Sequence, residues 1–454
     1  MRNKNCLIYI VVLFFGLSIQ AQSKKWTLEE CVKYALSNNI TIKQSELDTK
    51  AAIIDTKSAL GKFLPSFNAS TSHSWNIGLN QDITTGLLRN QTNQYTSAGA
   101  NVGIDIYKGL QNQNNLRKAN LALVASKYQL LKMEEDVALN VANAFLQVLF
   151  NKENLKVQLE QLAINEKQLA RSIELVNAGS IPKGDLLDTK ANLAQNQQNV
   201  VIAENRLLIS KLSLAQLLQL KQFEDFDVVD AAEIKEDRSI LAQSPNTIFE
   251  KSKMIRTELK IAQTNLEIAQ KNLQIAKGSF QPTLQGYYGF NTRISYADVA
   301  TISGNSILMQ PAPKFWDQFN NNKGQNFGFQ LSVPVFNGFS IKNNVERSKV
   351  NLEKSKIALE QQELDLQRNV FTAFTDAQGA LKANESAIVA LEARQQAFNY
   401  AKEKYALGLM NSFDFNQAQT LLINAQSEVL RTKYDYIFKI KILEFYFGIP
   451  IIKN

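Results

Sequence analysis

Histidine and cysteine are almost missing from this chain: His73 is the only histidine, and Cys6 and Cys31 are the only cysteines. That scarcity excludes the His and Cys clusters that hold catalytic metals or carry nucleophilic catalysis. No glycine-rich loop follows a strand to cradle a phosphate. Asp and Glu are plentiful, but they are spaced along heptad arms as solvated flanks, so choosing a pair as general acid and base would be arbitrary. The sequence therefore reads as a non-enzyme with no cofactor and no metal site.

Long apolar runs are absent beyond residue 21, so no segment there reaches the ~18 residues of a membrane-spanning helix. Any meeting with a membrane has to use strands. Residues 1–21 read as a secretory signal peptide, with Arg2 and Lys4, an apolar run from Cys6 to Ile19 and Ala21 at a plausible cleavage site. No Cys stands at that site, so nothing supports a lipid-anchored N-terminus, and cleavage leaves one thiol, Cys31, which cannot form an intramolecular disulfide. A basic block is missing too. Without Arg2 and Lys4 the formal charge falls from +8 to +6, and it is scattered among acids along helices with no stacking aromatics beside it, so no nucleic-acid partner is expected.

What is present is periodicity. Val141, Val148, Leu155, Leu162, Leu169 and Val176 recur every seven residues, and after a break at 178–184 so do Leu186, Leu193, Val200, Leu207 and Leu214. The pattern predicts a long antiparallel helical hairpin. It then recurs at an offset of 229: Gly109 matches Gly338, Phe145 matches Phe374, Gly179 matches Gly408 and Asp185 matches Asp414. The second-arm heptad is copied in phase as Phe415, Leu422, Val429, Tyr436 and Leu443. Two copies of one hairpin are therefore expected. Upstream, Thr27 and Glu30 form a capping box for a short helix, and a second helix, about Ile40 to Lys62, stops at Pro65; its counterpart is Arg256 to Lys277, before Pro282. Those prolines lie 217 residues apart, so the second half carries 12 extra residues between proline and hairpin, where a loop insertion is cheapest.

Between each proline and its hairpin the period changes to two. Phe67, Ala69, Thr71, His73, Trp75, Ile77 and Leu79 alternate with Ser, Asn and Gly, and Ala98, Ala100, Val102, Ile104 and Ile106 do the same. In the second half, Leu284, Tyr288, Phe290 and Ile294, then Phe327, Phe329, Leu331, Val333 and Val335, supply the apolar face. Four strands of this kind match transmembrane β-strands, although the alternation also permits a soluble sandwich. The expected organisation is a signal peptide at 1–21 and a first repeat at 22–220, with strands about 66–79 and 97–107 and a coiled-coil hairpin at 110–220. An acidic, irregular linker at 221–245 leads to a second repeat at 246–454, with strands about 283–294 and 326–336 and a hairpin at 338–447. The connections Asn80 to Gln94 and Ser295 to Gly324 read as long polar loops. Four strands cannot close a barrel in a bilayer, where the smallest use about eight, and open edges there leave backbone groups unpaired. The chain is thus expected to oligomerise.

These features resemble the TolC-like outer-membrane efflux family. The likeness runs from Trp26 to about Pro450. It rests on the repeat, on the element order, and on the turn motifs Ala178-Gly179-Ser180-Ile181-Pro182-Lys183-Gly184-Asp185-Leu186 and Leu407-Gly408-Leu409-Met410-Asn411-Ser412-Phe413-Asp414-Phe415, each with glycine followed six residues later by aspartate. The resemblance implies a mixed α and β fold: coiled-coil hairpins in two internal repeats plus four transmembrane β-strands per chain, completing a twelve-stranded barrel and an α-helical periplasmic tunnel as a homotrimer. It further implies an exit duct of a tripartite efflux pump or a type I secretion system. Outer-membrane lipid would surround the barrel, a periplasmic adaptor (membrane fusion) protein would dock at the tips, Gly179 to Gly184 and Gly408 to Ser412, and an inner-membrane transporter would be reached through the adaptor. By the same likeness Asp414 narrows the periplasmic gate and Tyr405 helps to lock it, with Asp185 as the acid the lock engages. Gln417 stands where some members carry a second ring acid, and Met410 where some carry a locking arginine. On the residues alone Asp185 and Asp414 read equally as helix N-caps, and Gly179 and Gly408 as left-handed helix ends. A non-transport coiled-coil surface or adhesion protein is the alternative function, with a soluble periplasmic scaffold behind it.

Overall fold

The protein was studied as a computed structural model that describes residues 25–81, 86, 88–221, 223–230, 239–303 and 306–451; the expected signal peptide lies outside them. The first half comprises β1 (Lys25–Trp26), α1 (Leu28–Asn38), α2 (Ile40–Gly61), β2 (Ser66–Gln81), β3 (Leu88–Lys108), α3 (Gln111–Asn177) and α4 (Lys183–Leu218). After β4 (Asp227–Val228), the second half comprises α5 (Pro245–Ile255), α6 (Thr257–Gly278), β5 (Thr283–Ser295), β6 (Val299–Ser303), β7 (Ser306–Gln310), α7 (Phe315–Asn321), β8 (Gly324–Ser332), α8 (Ser340–Ala406) and α9 (Ser412–Phe447). The bounds of α5 and α6 are those of α1 and α2 moved by 217, and those of α8 and α9 are those of α3 and α4 moved by 229. The repeat thus extends to single residues.

The capping box is formed: Thr27 Oγ1 accepts from Glu30 N at 3.2 Å and Glu30 Oε2 accepts from Thr27 N at 3.0 Å. Between α1 and α2 the buried Asn39 takes an extended backbone (φ −61°, ψ 131°), as Arg256 does between α5 and α6 (φ −64°, ψ 131°). Asn39 Nδ2 donates to Leu217 O at 3.1 Å, while Ser252 Oγ donates to Tyr446 O at 2.6 Å. Those two carbonyls are themselves 229 residues apart, so each short helix is tied to the same point of its hairpin.

The chain forms two compact units that cut across the sequence repeats. One holds the described residues up to 47, with 128–260 and 360 onward; the other holds 48–127 and 261–359. The first unit is helical. Its core joins Cys31 and Val32 of α1 to Val141, Phe145 and Leu149 of α3, to Leu214 and Leu218 of α4 and to Ile437 of α9. Each large side chain buried here contributes ~1.5–3 kcal/mol relative to exposure. The linker is not wholly irregular: β4 pairs in parallel with β1, and Asp227 accepts from Lys152 (3.2 Å) and forms an ion pair with Lys211 (2.9 Å).

The expected line is buried at Val141, Val148, Val200 and Leu214 and, in the second hairpin, at Phe415, Leu422, Tyr436 and Leu443, but it changes towards the first tip. Leu155, Leu162, Leu169 and Val176 are only half-buried, whereas Gln161, Asn165 and Ser172 of α3 are buried, opposite a heptad of Thr189, Asn196, Ala203 and Ser210 on α4. Small and polar side chains allow close helix approach, so they take the seam and push the leucines to its margins. Ser172 Oγ and Thr189 Oγ1 meet across it at 3.4 Å.

The second unit carries a four-stranded antiparallel sheet in the order β2-β3-β5-β8. Its register sets Phe67, Val102, Tyr288 and Phe327 in one row on one face, and Asn68, Asn101, Gly289 and Asn326 in the next row on the other. One face is therefore apolar and the other polar, as period two requires. Two strand bounds depart from expectation by more than two residues, and one loop is ordered. β3 starts at Leu88 rather than about 97, because residues 88–96 are Asn-, Gln- and Thr-rich and lack alternation, and pairing with β2 from Gln81↔Leu88 onward makes them strand. β8 stops at Ser332 rather than 336, because Pro334 has no N–H for a ladder. The long loop at 295–324 is folded: it contains the β6–β7 hairpin and α7.

Candidate functional site: the two hairpin tips

Both hairpins turn by the same device. At the first, Gly179 N donates to Val176 O (3.0 Å) and Ser180 N to Leu175 O (2.9 Å); at the second, Gly408 N donates to Tyr405 O (3.2 Å) and Leu409 N to Lys404 O (2.9 Å). These are Schellman turns, and they need a left-handed residue, which Gly179 (φ +71°) and Gly408 (φ +73°) provide. An added Cβ would meet nothing within 4 Å at either glycine. The requirement for glycine is thus conformational.

The returning helices begin differently. Pro182 precedes α4 without a side-chain cap, and Lys183, Gly184 and Asp185 form its first turn. Asn411 caps α9, its Oδ1 accepting from Asp414 N at 2.8 Å. This corrects the reading of Asp185 and Asp414 as N-caps. Both lie in the third helical position, where a carboxylate still favours the positive end of the helix dipole. Asp414 and Gln417 are exposed and Asp185 is half-buried, its carbonyl accepting from Thr189 Oγ1 at 2.8 Å.

The second tip has its own small core. Phe398, Ala401, Phe415 and Leu422 are buried together, with Tyr405 and Met410 packed against them. Tyr405 stacks on Phe415 with ring centroids 4.6 Å apart and planes 18° from parallel. Among the described residues no hydrogen bond or ion pair joins Asp185, Tyr405 and Asp414 to one another; Tyr405 engages its own hairpin. Further from the tip, Gln419 Nε2 donates to Asn165 Oδ1 at 2.7 Å, a fully buried amide pair linking α9 to α3. Of the remaining tip residues, Ile181 is half-buried, Ser412 is buried, and Ser180, Lys183, Gly184 and Leu409 are exposed. Leu407, Leu409 and Phe413 present three large apolar side chains to the surroundings. Sequence reasoning missed Phe398, and it placed Asn411 among the docking tips without its capping role, although both left a signal. Phe398 lies one heptad before Tyr405, and Asn411 lies three residues before an acid, the spacing of a capped helix start.

Comparison with known proteins bears on the whole chain. A family model described as outer membrane efflux protein matches residues 31–219 and 251–441, one segment for each half. Outer membrane protein TolC of Escherichia coli (strain K12) is 20% identical over 435 residues, spanning 94% of this chain and 84% of that one. Among solved structures, a membrane protein from Pseudomonas aeruginosa superposes with a TM-score of 0.78 at 16% identity, covering 92% of this chain and 90% of the other. The outer membrane protein VceC of Vibrio cholerae gives 0.74 at 15% identity, with 93% and 96% covered.

Proposed function

The chain belongs to the outer membrane efflux protein family and is an outer-membrane efflux duct protein, not an enzyme, that extends into the periplasm; from that premise we propose that three copies close one twelve-stranded barrel and one helical tunnel. The observation that carries the proposal is the sheet whose edge strands, β2 and β8, have no further partner strand among the described residues, and whose apolar face is exposed. In hydrocarbon each unpaired backbone group costs several kcal/mol, so the edges must find partners in other copies. Because four alternating strands end with β2 and β8 running in opposite directions, a β8-to-β2 junction continues the antiparallel pattern around a ring. Two lines of exposed apolar residues at heptad spacing support further helix contacts between copies: Val350, Ile357, Leu364 and Phe371 on α8, and Leu187, Val201 and Leu208 on α4.

The duct is a passive path serving a tripartite efflux pump or a type I secretion system. Its energy comes from an inner-membrane transporter, reached through a periplasmic adaptor that docks on the tips Gly179 to Gly184 and Gly408 to Ser412. Exposed Leu407, Leu409 and Phe413 give such an adaptor an apolar foothold. Asp414, with Asp185, Tyr405 and Gln417, forms the periplasmic gate. Three converging Asp414 carboxylates favour cations at that constriction.

The test combines the sedimentation mass of the detergent-extracted protein with planar-bilayer conductance of wild type and Asp414→Ala. A trimer with small cation-preferring currents that grow or lose selectivity in the mutant is the expected outcome. A folded monomer, or a trimer that inserts without conducting, would sink the proposal in favour of a surface protein.

A further inference from the structure

The segment between β5 and β8 packs on the apolar face of the sheet, at the end of β5 away from α6. Phe319 lies 6.2 Å from Phe290, and Thr292 Oγ1 donates to Phe319 O at 3.1 Å. Phe290, Thr292 and Ile294 all belong to the apolar face, and α7 and its flanks cover its end: Thr292 is 3% and Ile294 1% exposed. The attachment is specific. Gln318 Nε2 donates to Ser295 O (2.8 Å) and Pro313 O (2.7 Å), Gln318 Oε1 accepts from Ser295 N (2.9 Å), and Asn322 Nδ2 donates to Arg293 O (2.6 Å).

A helix held this firmly nevertheless presents Phe315 and Trp316 outward, Trp316 being 69% exposed. Trp316 is in ring contact with Phe315 and Phe319 (5.2 and 5.7 Å), and His73, Trp75 and Tyr296 form a second aromatic group on the same face. Exposed Lys314 and Lys323 flank the helix. From Phe67 to Trp75 is eight residues, about 27 Å along the strand, which a tilt of about 40° reduces to about 21 Å, most of the ~25 Å apolar band of an outer-membrane barrel. Aromatic rings with flanking lysines at the margin of an apolar band are the composition of a membrane interface.

We propose that α7, through Phe315 and Trp316, is an interfacial anchor lying in the outer leaflet at the boundary of acyl chains and headgroups, with Lys314 and Lys323 meeting lipid phosphates. It rests on the barrel reading above, since it takes the apolar face of the sheet to be lipid-facing. The occupant of the exposed helix face is lipid because α7 packs on the same sheet face that carries exposed Phe67 and Trp75. The inserted residues of the second half thereby fix the depth of the barrel in the membrane.

The three native tryptophans allow a test in which each has a different role. Three single-tryptophan proteins keep Trp316, Trp75 or Trp26, with the other two changed by Trp→Phe; circular dichroism and sedimentation mass confirm that each is folded. They are reconstituted into phosphatidylethanolamine and phosphatidylglycerol vesicles that carry phospholipid brominated either near the headgroup or near the chain end. Trp316 should be quenched roughly twice as strongly by the shallow bromines as by the deep ones. Trp75 should be quenched by lipid bromines, and Trp26, packed on Phe226 and Tyr34 in the helical unit, by neither. If Trp75 is quenched but Trp316 answers only to aqueous iodide, the anchor is wrong and the barrel stands. If neither is quenched, the barrel reading fails first. Trp316 shielded from iodide in detergent and blind to both bromines would assign the face to a neighbouring copy, and stronger quenching by the deep bromines would move it into the hydrocarbon; either overturns the anchor.

Discussion

Asn411 Oδ1 accepts the backbone N–H of Asp414 at 2.8 Å, which separates the cap of α9 from the acid beside it. Asn411→Ala should therefore destabilise the second tip by ~1 kcal/mol, seen as faster hydrogen exchange near residue 411. Asp414→Ala should cost only ~0.5 kcal/mol through the helix dipole. A conductance change in Asp414→Ala with unchanged exchange would report pore charge; faster exchange in that variant would make its conductance uninformative about the gate.

Arg256 joins parts of the helical unit remote in sequence. It is 3% exposed, donates to Glu135 Oε2 and Glu258 Oε1 at 3.0 Å each, and lies 3.8 Å over the Phe445 ring. Arg256→Met keeps the stem and removes the charge, which should cost about 2–4 kcal/mol because two half-buried carboxylates lose their partner. Burial already holds Glu135 above its ordinary value despite Arg256, whereas Glu258, buried too, is drawn below its own by the Arg256 hydrogen bonds. Without Arg256 Glu135 rises further and Glu258 rises from below its ordinary value. A group with a raised folded pKa stabilises at low pH and loses that contribution as pH rises through the folded value. The defect in denaturant unfolding should thus be larger at neutral pH than in mild acid; equal defects at both would contradict this account.

The Cys31 thiol is buried in the core of the helical unit, and that burial, with the nearby Glu30 charge, pushes its pKa up to about 12. It should resist maleimide at mildly alkaline pH in the native protein and react at once in denaturant. Reaction without denaturant, at the rate of an ordinary thiol, would show that α1 detaches readily.

The β1–β4 pairing should be acid-labile. Burial raises Asp227, but hydrogen bonds from Lys211 and Lys152 outweigh it, and Asp230 is lowered by Lys152 and Lys25. Depressed carboxylates stabilise above their unfolded value, near 3.9, and lose that contribution as pH falls through the folded one. In a protein whose other tryptophans are phenylalanine, Trp26 emission should change below about pH 4, and Lys152→Met should move the midpoint upward. An unmoved midpoint would mean that Lys152 does not hold the strand.

Much of the fold was legible because it is periodic. Exact repetition at 229 residues exposes the hairpins, and clean alternation exposes the apolar face of Phe67 to Leu79. Elements without a period were hidden: β1 and β4 have two residues each, and the start of β3 is polar throughout. Helix α5 was detectable, since moving α1 by 217 lands on it, yet its residues resemble a linker. At the tips the glycines were readable as turn residues because one backbone conformation demands them. The cap was misassigned because an aspartate at the third helical position resembles one at the cap. Arg256 left little local signal, as of its partners only Glu258 is near in sequence, while Glu135 and Phe445 lie more than a hundred residues away.

The open edges of the sheet have a genetic consequence. Because β2 of one copy must meet β8 of the next, every junction in the proposed ring is head-to-tail. A chain with a spoiled β8, for instance one carrying an added proline, would still offer a sound β2 and be incorporated. One such chain leaves a gap in the whole wall, so in mixed expression the fraction of intact rings falls as the cube of the wild-type share. Edge lesions should behave as dominant and tip-core lesions such as Phe398→Ala as recessive, a contrast that follows from where each sits in the sheet or the hairpin.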